Sequence, residues 1–126
     1  MTETALTQFK ELFTLFNDDA NRVAKILAQE DRSYQFIDMW YYDPDCDTIE
    51  GQGEETWNYG GYERHYVSFP SKYLTYTDEQ LQKIVDKNIK ASKAREAAEK
   101  RKEKKERLDA ERAQYEKLKA KFENKK

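Results

Sequence analysis

The chain of 126 residues holds one cysteine and one histidine. Cys46 alone forms no internal disulfide, and one Cys with one His supplies no thiolate or imidazole cage for structural zinc. Dithiol redox chemistry is excluded for the same reason, and no metal or cofactor is expected. No stretch approaches the roughly 18 consecutive apolar residues of a membrane span. The N-terminal MTETALTQFKE lacks the basic and apolar regions of a secretion signal. A soluble, cytoplasmic protein with no membrane partner is therefore expected. Proline and glycine are also scarce, at two and four residues, and neither occurs after Gly61 and Pro70.

What is present is charge and aromatic surface. Hydrophobic residues make up 37% and charged residues 38% of the chain, which suits one small domain plus a solvated segment. The net charge of −2 conceals an asymmetry: residues 1–76 carry 14 acids against 6 bases, whereas residues 77–126 carry 17 bases against 11 acids. Fifteen of the 17 aromatics precede residue 77. The apolar area that can offset chain entropy is thus concentrated there. Two regions follow, a compact module over 1–76 and an extended helix over 77–126.

From Thr4 to about Gln29 the residues Leu6, Phe9, Phe13, Phe16, Ala20, Val23 and Leu27 recur at spacings of 3 and 4, one stripe of an α-helix. Leu12 and Ile26 widen the stripe, and its expected role is core packing. Asn17, Asp18 and Asp19 are poor mid-helix residues and mark a place where the helix could kink. Tyr34–Tyr42 is rich in aromatic and β-branched residues and reads as a strand, followed by the turn-rich DPDCD. Thr56–Tyr59 and Tyr62–Phe69 read as two more strands joined through Gly60-Gly61, a glycine pair suited to a tight hairpin. His65, Val67 and Phe69 share one face of the last strand by its two-residue period. Pro70 ends it, and Tyr73 and Leu74 are expected to dock at the sheet edge.

Thr77 is a helix cap with Gln80 in the capping-box position. With no breaker beyond it, residues 78–124 are predicted to form one helix of about 70 Å at 1.5 Å per residue. Leu81, Ile84, Val85 and Ile89 anchor its start. The middle, ASKAREAAEKRKEKKER, is built from helix formers with opposite charges three or four apart. Leu108, Tyr115, Leu118 and Phe122, at spacings of 7, 3 and 4, form a short coiled-coil-like seam that wants a partner. The fold class is therefore α+β: an N-terminal helix, a three-stranded antiparallel β-meander, and a long charged C-terminal helix.

Chemistry-bearing motifs are few. Asp43, Asp45, Asp47 and Glu54 fall at the first, third, fifth and twelfth positions of a calcium hand loop. The sixth position is Thr48 where a glycine permits the turn, Pro44 is second, and the flanks read as strands, so an acidic loop without metal is expected. Residues 43–55 hold six acids and no base. Asp43, Asp45, Asp47, Glu50, Glu54 and Glu55, with Trp57 and Tyr59, make a candidate anionic, aromatic-rimmed surface that could engage a basic cleft. Cys46 and His65 could act as nucleophile and base, with Asp47 or Asp38 orienting the ring, but no signature flanks them, and His65 reads as a sheet-face residue. No enzymatic activity is expected. GQGEETWNYGG has Thr56 where a dinucleotide fingerprint needs its third glycine. Lys100, Arg101, Lys102, Lys104, Lys105 and Arg107 could contact phosphates, yet Glu103 and Glu106 interleave them and no base reader lies nearby, which argues against direct nucleic-acid binding.

VSFPSKYL, ending the aromatic β module, and YEKLKAKFE, closing the Lys/Glu-rich helix, give residues 35–124 a resemblance to small hypothetical proteins encoded in bacteriophage genomes. Some small phage proteins inhibit host defence nucleases, anti-CRISPR proteins among them. The resemblance implies a binding protein in the host cytoplasm whose partner is a larger host protein such as a nuclease, and it carries over no catalytic residue. The leading expectation is a non-enzymatic inhibitor or adaptor using the acidic surface and the long helix. The alternatives are an assembly protein that dimerises through the Leu108–Phe122 seam and a weak nucleic-acid binder.

Overall fold

The computed structural model describes residues 1–123. Helix α1 (Glu3–Leu27) leads through a 3-10 turn (Arg32–Phe36) into strands β1 (Met39–Asp43), β2 (Thr48–Thr56) and β3 (Tyr62–Pro70). A second 3-10 turn (Ser71–Thr75) precedes helix α2 (Asp78–Glu123). The strands form an antiparallel meander in the order β1-β2-β3. The fold class is thus α+β, in the order expected. The chain divides into two compact units, Met1–Asn88 and the residues from Ile89 onwards. The division falls inside α2, past the element boundary at 76/77, because Leu81 and Val85 are fully buried in the first unit.

In the first unit one sheet face carries the core. Trp40, Ile49, Val67 and Phe69 point inward, and Ala20, Val23, Ala24 and Leu27 of α1 with Leu81 and Val85 of α2 are buried with them. Trp40 meets Phe69 edge-on at 5.6 Å, and its indole Nε1 donates to Asn21 Oδ1 at 2.8 Å. Arg22 joins Asp78 at 2.7 Å and also donates to the Leu74 carbonyl. The start of α2 is a formed capping box: Gln80 N–H donates to Thr77 Oγ1, and Thr77 N–H donates to Gln80 Oε1.

Three expectations are corrected. Residues 32–36 are a 3-10 turn and not the beginning of a strand; Asp31 caps it by accepting from Ser33 N–H at 2.9 Å, and the strand starts only at Met39. The central strand is Thr48–Thr56 and not Thr56–Tyr59, and Trp57 begins a turn closed by Trp57 N–H donating to the Gly61 carbonyl. Ile49, Gly51 and Gly53 of β2 face inward beneath Trp40 and the 3-10 turn, and the absent glycine side chains make that approach possible. The apolar stripe of α1 is core only in its second half. Burial begins at Ala20, whereas Leu6, Phe9, Leu12, Phe13 and Leu15 are 43–64% exposed. A 25-residue helix is about 37 Å long. The longest strands, of nine residues, reach only about 30 Å. Helix α1 runs uninterrupted through Asn17–Asp19.

In the second unit every residue from Lys90 to Glu123 is exposed and helical. No described helix is long and apolar enough to cross a membrane.

Candidate functional site

The acidic residues 43–55 do not form one loop. Asp43 ends β1, Pro44–Asp47 make the turn, and Glu50, Glu54 and Glu55 lie on β2. Asp43 pairs with Thr48 in the sheet register, and Glu54 lies six residues further along β2, roughly 20 Å away at 3.4 Å per residue. Asp43, Asp45, Asp47 and Glu54 therefore cannot surround one ion. Two of the turn acids serve the backbone instead. Asp43 Oδ1 accepts from Asp45 N–H at 2.9 Å. Asp47 adopts a left-handed φ of 53°, tolerated by aspartate, and its Oδ1 accepts from Ser71 Oγ at 2.7 Å and from Tyr42 OH at 2.8 Å. Those donors, Ser71 first, hold the Asp47 carboxyl below the usual aspartate value.

The remaining acids separate by sheet face. Glu50 and Glu54 point outward, where Glu50 Oε1 accepts from Thr48 and Ser68 hydroxyls and Glu54 pairs with Arg64 at 3.4 Å. Met39, Tyr41 and Tyr66 are exposed on the same outward face. Trp57 and Tyr59 sit in the β2–β3 turn, 48% and 100% exposed, at the opposite end of β2 from Asp45. Five of the eight anticipated surface residues thus divide between the outward face and two turns; Asp43 and Asp47 are engaged locally, and Glu55 turns inward.

Glu55 belongs to a cluster the sequence reading did not assemble. His65, buried on β3, has its Nε2 3.1 Å from Glu55 Oε2 and its Nδ1 3.0 Å from Ser33 Oγ. Glu55 Oε1 accepts from Arg32 Nη2 at 2.7 Å. The Phe36 ring stacks on the imidazole at 4.7 Å, and the Arg32 guanidinium lies 5.0 Å over Phe36. Arg32, and secondarily His65, hold the Glu55 carboxyl below its usual range against the opposing effect of burial. An ionised carboxylate only accepts, so Nε2 carries the hydrogen, and in the neutral ring Nδ1 accepts from the Ser33 hydroxyl. Glu63 lies directly across from Glu55 in the register, with its Oε2 4.0 Å from His65 Nε2. The signal in the sequence is Glu63-x-His65 at a two-residue period with Glu55 across the hairpin. Placing strand β2 at Thr56–Tyr59 hides it.

Cys46 does not join this cluster. It is exposed in the β1–β2 turn, while His65 pairs with Gly53, five residues along β2 from Thr48, roughly 17 Å. Asp43 pushes the Cys46 thiol up, away from the thiolate a nucleophile requires. A Cys46–His65 dyad is not assembled.

The larger exposed feature is apolar. In the first unit the uncovered half of α1 presents Leu6, Phe9 and Phe13 in heptad spacing, and Phe9 and Phe13 stack at 6.0 Å. In the second unit Leu108, Tyr115, Leu118 and Phe122 are 50–72% exposed. The heptad positions flanking that seam are Arg107, Arg112, Gln114, Lys119 and Lys121, with no acid among them. No family model, curated protein or solved structure matches the chain.

Proposed function

We propose that the protein is a non-enzymatic inhibitor or adaptor whose acidic first unit inserts the apolar half of α1 into a basic-rimmed groove of a larger protein. The supporting observation is the abrupt change along one helix stripe: Ala20, Val23 and Leu27 are buried, and Leu6, Phe9 and Phe13 of the same stripe stand in water. Exposed apolar side chains in a row at heptad spacing mark a surface for a partner helix or groove. Charge states the partner's chemistry, because residues 1–88 carry 17 acids against 8 bases, a balance of −9. A groove lined with Lys and Arg, such as the nucleic-acid cleft of a host defence nuclease, is complementary to it. Glu50 and Asp45 add to that field, whereas Glu54 pairs with Arg64 and Glu55 with Arg32 and His65.

Fully burying a large apolar side chain is worth about 1.5–3 kcal/mol, so covering the exposed halves of Phe9 and Phe13 contributes roughly 2–3 kcal/mol. Affinity should therefore fall at least tenfold when both are replaced. The test is capture from host lysate with the wild-type chain and with Phe9→Asp/Phe13→Asp, followed by mass spectrometry and assay of the captured protein. A partner held by the wild type, lost by the folded variant, and blocked stoichiometrically in its activity supports the proposal. Equal retention by both chains, or no retained partner, removes it.

Self-assembly through the C-terminal helix is the weaker reading. Pairing two such seams in either direction sets Arg107, Arg112, Lys119 and Lys121 against their own kind, and like charges across a coiled-coil flank oppose association. A partner with acidic flanks fits that seam better than a second copy.

A further inference from the structure

We propose that Glu55, Glu63 and His65 form a binding site for a divalent first-row transition-metal ion of the zinc class. Three donor atoms, His65 Nε2 and one oxygen from each carboxylate, all lie within 4.8 Å of one another. The placement is a product of the hairpin. Glu55 and Glu63 are cross-strand partners on one face, and His65 follows Glu63 by one two-residue period. Two carboxylates directly opposite each other repel, and a cation held between them relieves that repulsion. Arg32 satisfies Glu55 through Oε1 on the far side, leaving Oε2 directed at His65. Among the described residues Glu63 has no salt-bridge partner except the imidazole at 4.0 Å.

The geometry suits a small ion. In a tetrahedral site with bonds near 2.05 Å the ligand atoms stand about 3.3 Å apart. The Nε2 to Glu55 distance is already 3.1 Å, and the Glu63 side chain, 55% exposed, closes from 4.0 Å by rotating in solvent. Three protein ligands leave the fourth position to water. The supporting contacts resemble those that tune metal ligands generally: Arg32 on the second oxygen of Glu55, Ser33 on the second nitrogen of His65, and Phe36 fixing the ring plane. When the ion takes the Nε2 lone pair, the neutral ring carries its single hydrogen on Nδ1. Ser33 Oγ, which donated to that nitrogen, then accepts from it, and a hydroxyl serves both tautomers. The imidazole ligand favours zinc-class ions over Mg²⁺ and Ca²⁺, which require oxygen.

The test uses the full chain, Zn²⁺ by isothermal titration calorimetry, and Co²⁺ by the visible absorption of its low-symmetry complexes. One ion per chain is expected, with Mg²⁺ and Ca²⁺ at least a hundredfold weaker. Glu63→Gln and His65→Ala should each lower Zn²⁺ affinity at least tenfold, and Cys46→Ser should leave it unchanged. Ser33→Ala should lower it about tenfold. If His65→Ala fails to fold by circular dichroism, Glu63→Gln decides, since that side chain lies outside the core. No Zn²⁺ uptake, uptake indifferent to Glu63→Gln, uptake abolished by Cys46→Ser, or equal affinity for Mg²⁺ would each overturn the assignment.

Discussion

Replacing Gly53 by alanine should be among the most damaging single-methyl additions in the first unit. A Cβ at this position would lie 1.6 Å from the Phe36 carbonyl oxygen, 2.7 Å from its carbon and 2.9 Å from Ile37 Cα. Real Cβ atoms essentially never approach closer than 3.0 Å, so the 3-10 turn must move away from β2 by about 1.4 Å, and backbone cannot swing aside as a side-chain tip does. Overpacking of this kind costs about 1–3 kcal/mol. The displaced turn also withdraws the Phe36 ring from His65, at about 0.5–1.5 kcal/mol, and strips the buried imidazole of Ser33, at about 1–3 kcal/mol. A total of roughly 2.5–7.5 kcal/mol is a large share of the 5–15 kcal/mol typical of a domain. Urea unfolding followed by circular dichroism measures it. Gly60→Ala is the control: nothing lies within 4 Å of that position, but its φ of 81° carries a left-handed penalty of about 1 kcal/mol. If Gly53→Ala costs no more than Gly60→Ala, the turn does not sit on β2 and the cluster around His65 is not built as described.

Leu81→Ala, at a fully buried position, should cost about 2–5 kcal/mol in the same assay, while Leu12→Ala, 64% exposed, should change stability by less than about 0.5 kcal/mol. Comparable losses would mean that α1 is covered along its whole length. The Asp47 carboxyl is held below its ordinary value of 3.8, so its bonds stabilise the fold above that pH and the contribution disappears as pH falls through the folded value. Ser71→Ala removes the largest cause, and an NMR titration should show the Asp47 midpoint rising; an unmoved midpoint would deny the hydrogen bond. Burial, aided by Asp31 and Glu30, pushes the Tyr34 hydroxyl up to about 12. Its contribution to stability is complete below pH 10, the ordinary tyrosine value, and is lost as pH rises through about 12. The difference between wild-type and Tyr34→Phe absorbance titrations should isolate one ionisation near 12, and a midpoint near 10 would contradict the burial.

Periodicity made α1, β3 and α2 legible, and the Thr77–Gln80 capping box was readable from four residues. Strand β2 was not. Thr48–Thr56 contains Gly51, Gly53 and three glutamates, a composition depleted in strands, and what makes it a strand is tertiary: Trp40 and the Phe36 carbonyl occupy the space its missing side chains leave. The same fact misleads at Tyr34 and Phe36, whose aromatic rings suggest a strand although they cap the sheet. His65 could be placed on the inner face by its two-residue period. Glu55 and Glu63 could not be joined to it, because register depends on where β2 begins and ends. The α1 stripe shows a further limit, since spacing tells which face of a helix is apolar and not what covers it.

The uncovered half of α1 is tested most directly by amide hydrogen exchange on the free chain and on the chain with its captured partner. In the free chain residues 6–16 should exchange quickly, because an unsupported helical stretch of this length is marginal in water, while Ala20, Val23, Ala24 and Leu27 are protected. In the complex, residues 6–16 should become as slow as the core. Equal exchange of residues 6–16 in both states, fast or slow, would contradict a docking role for the stripe.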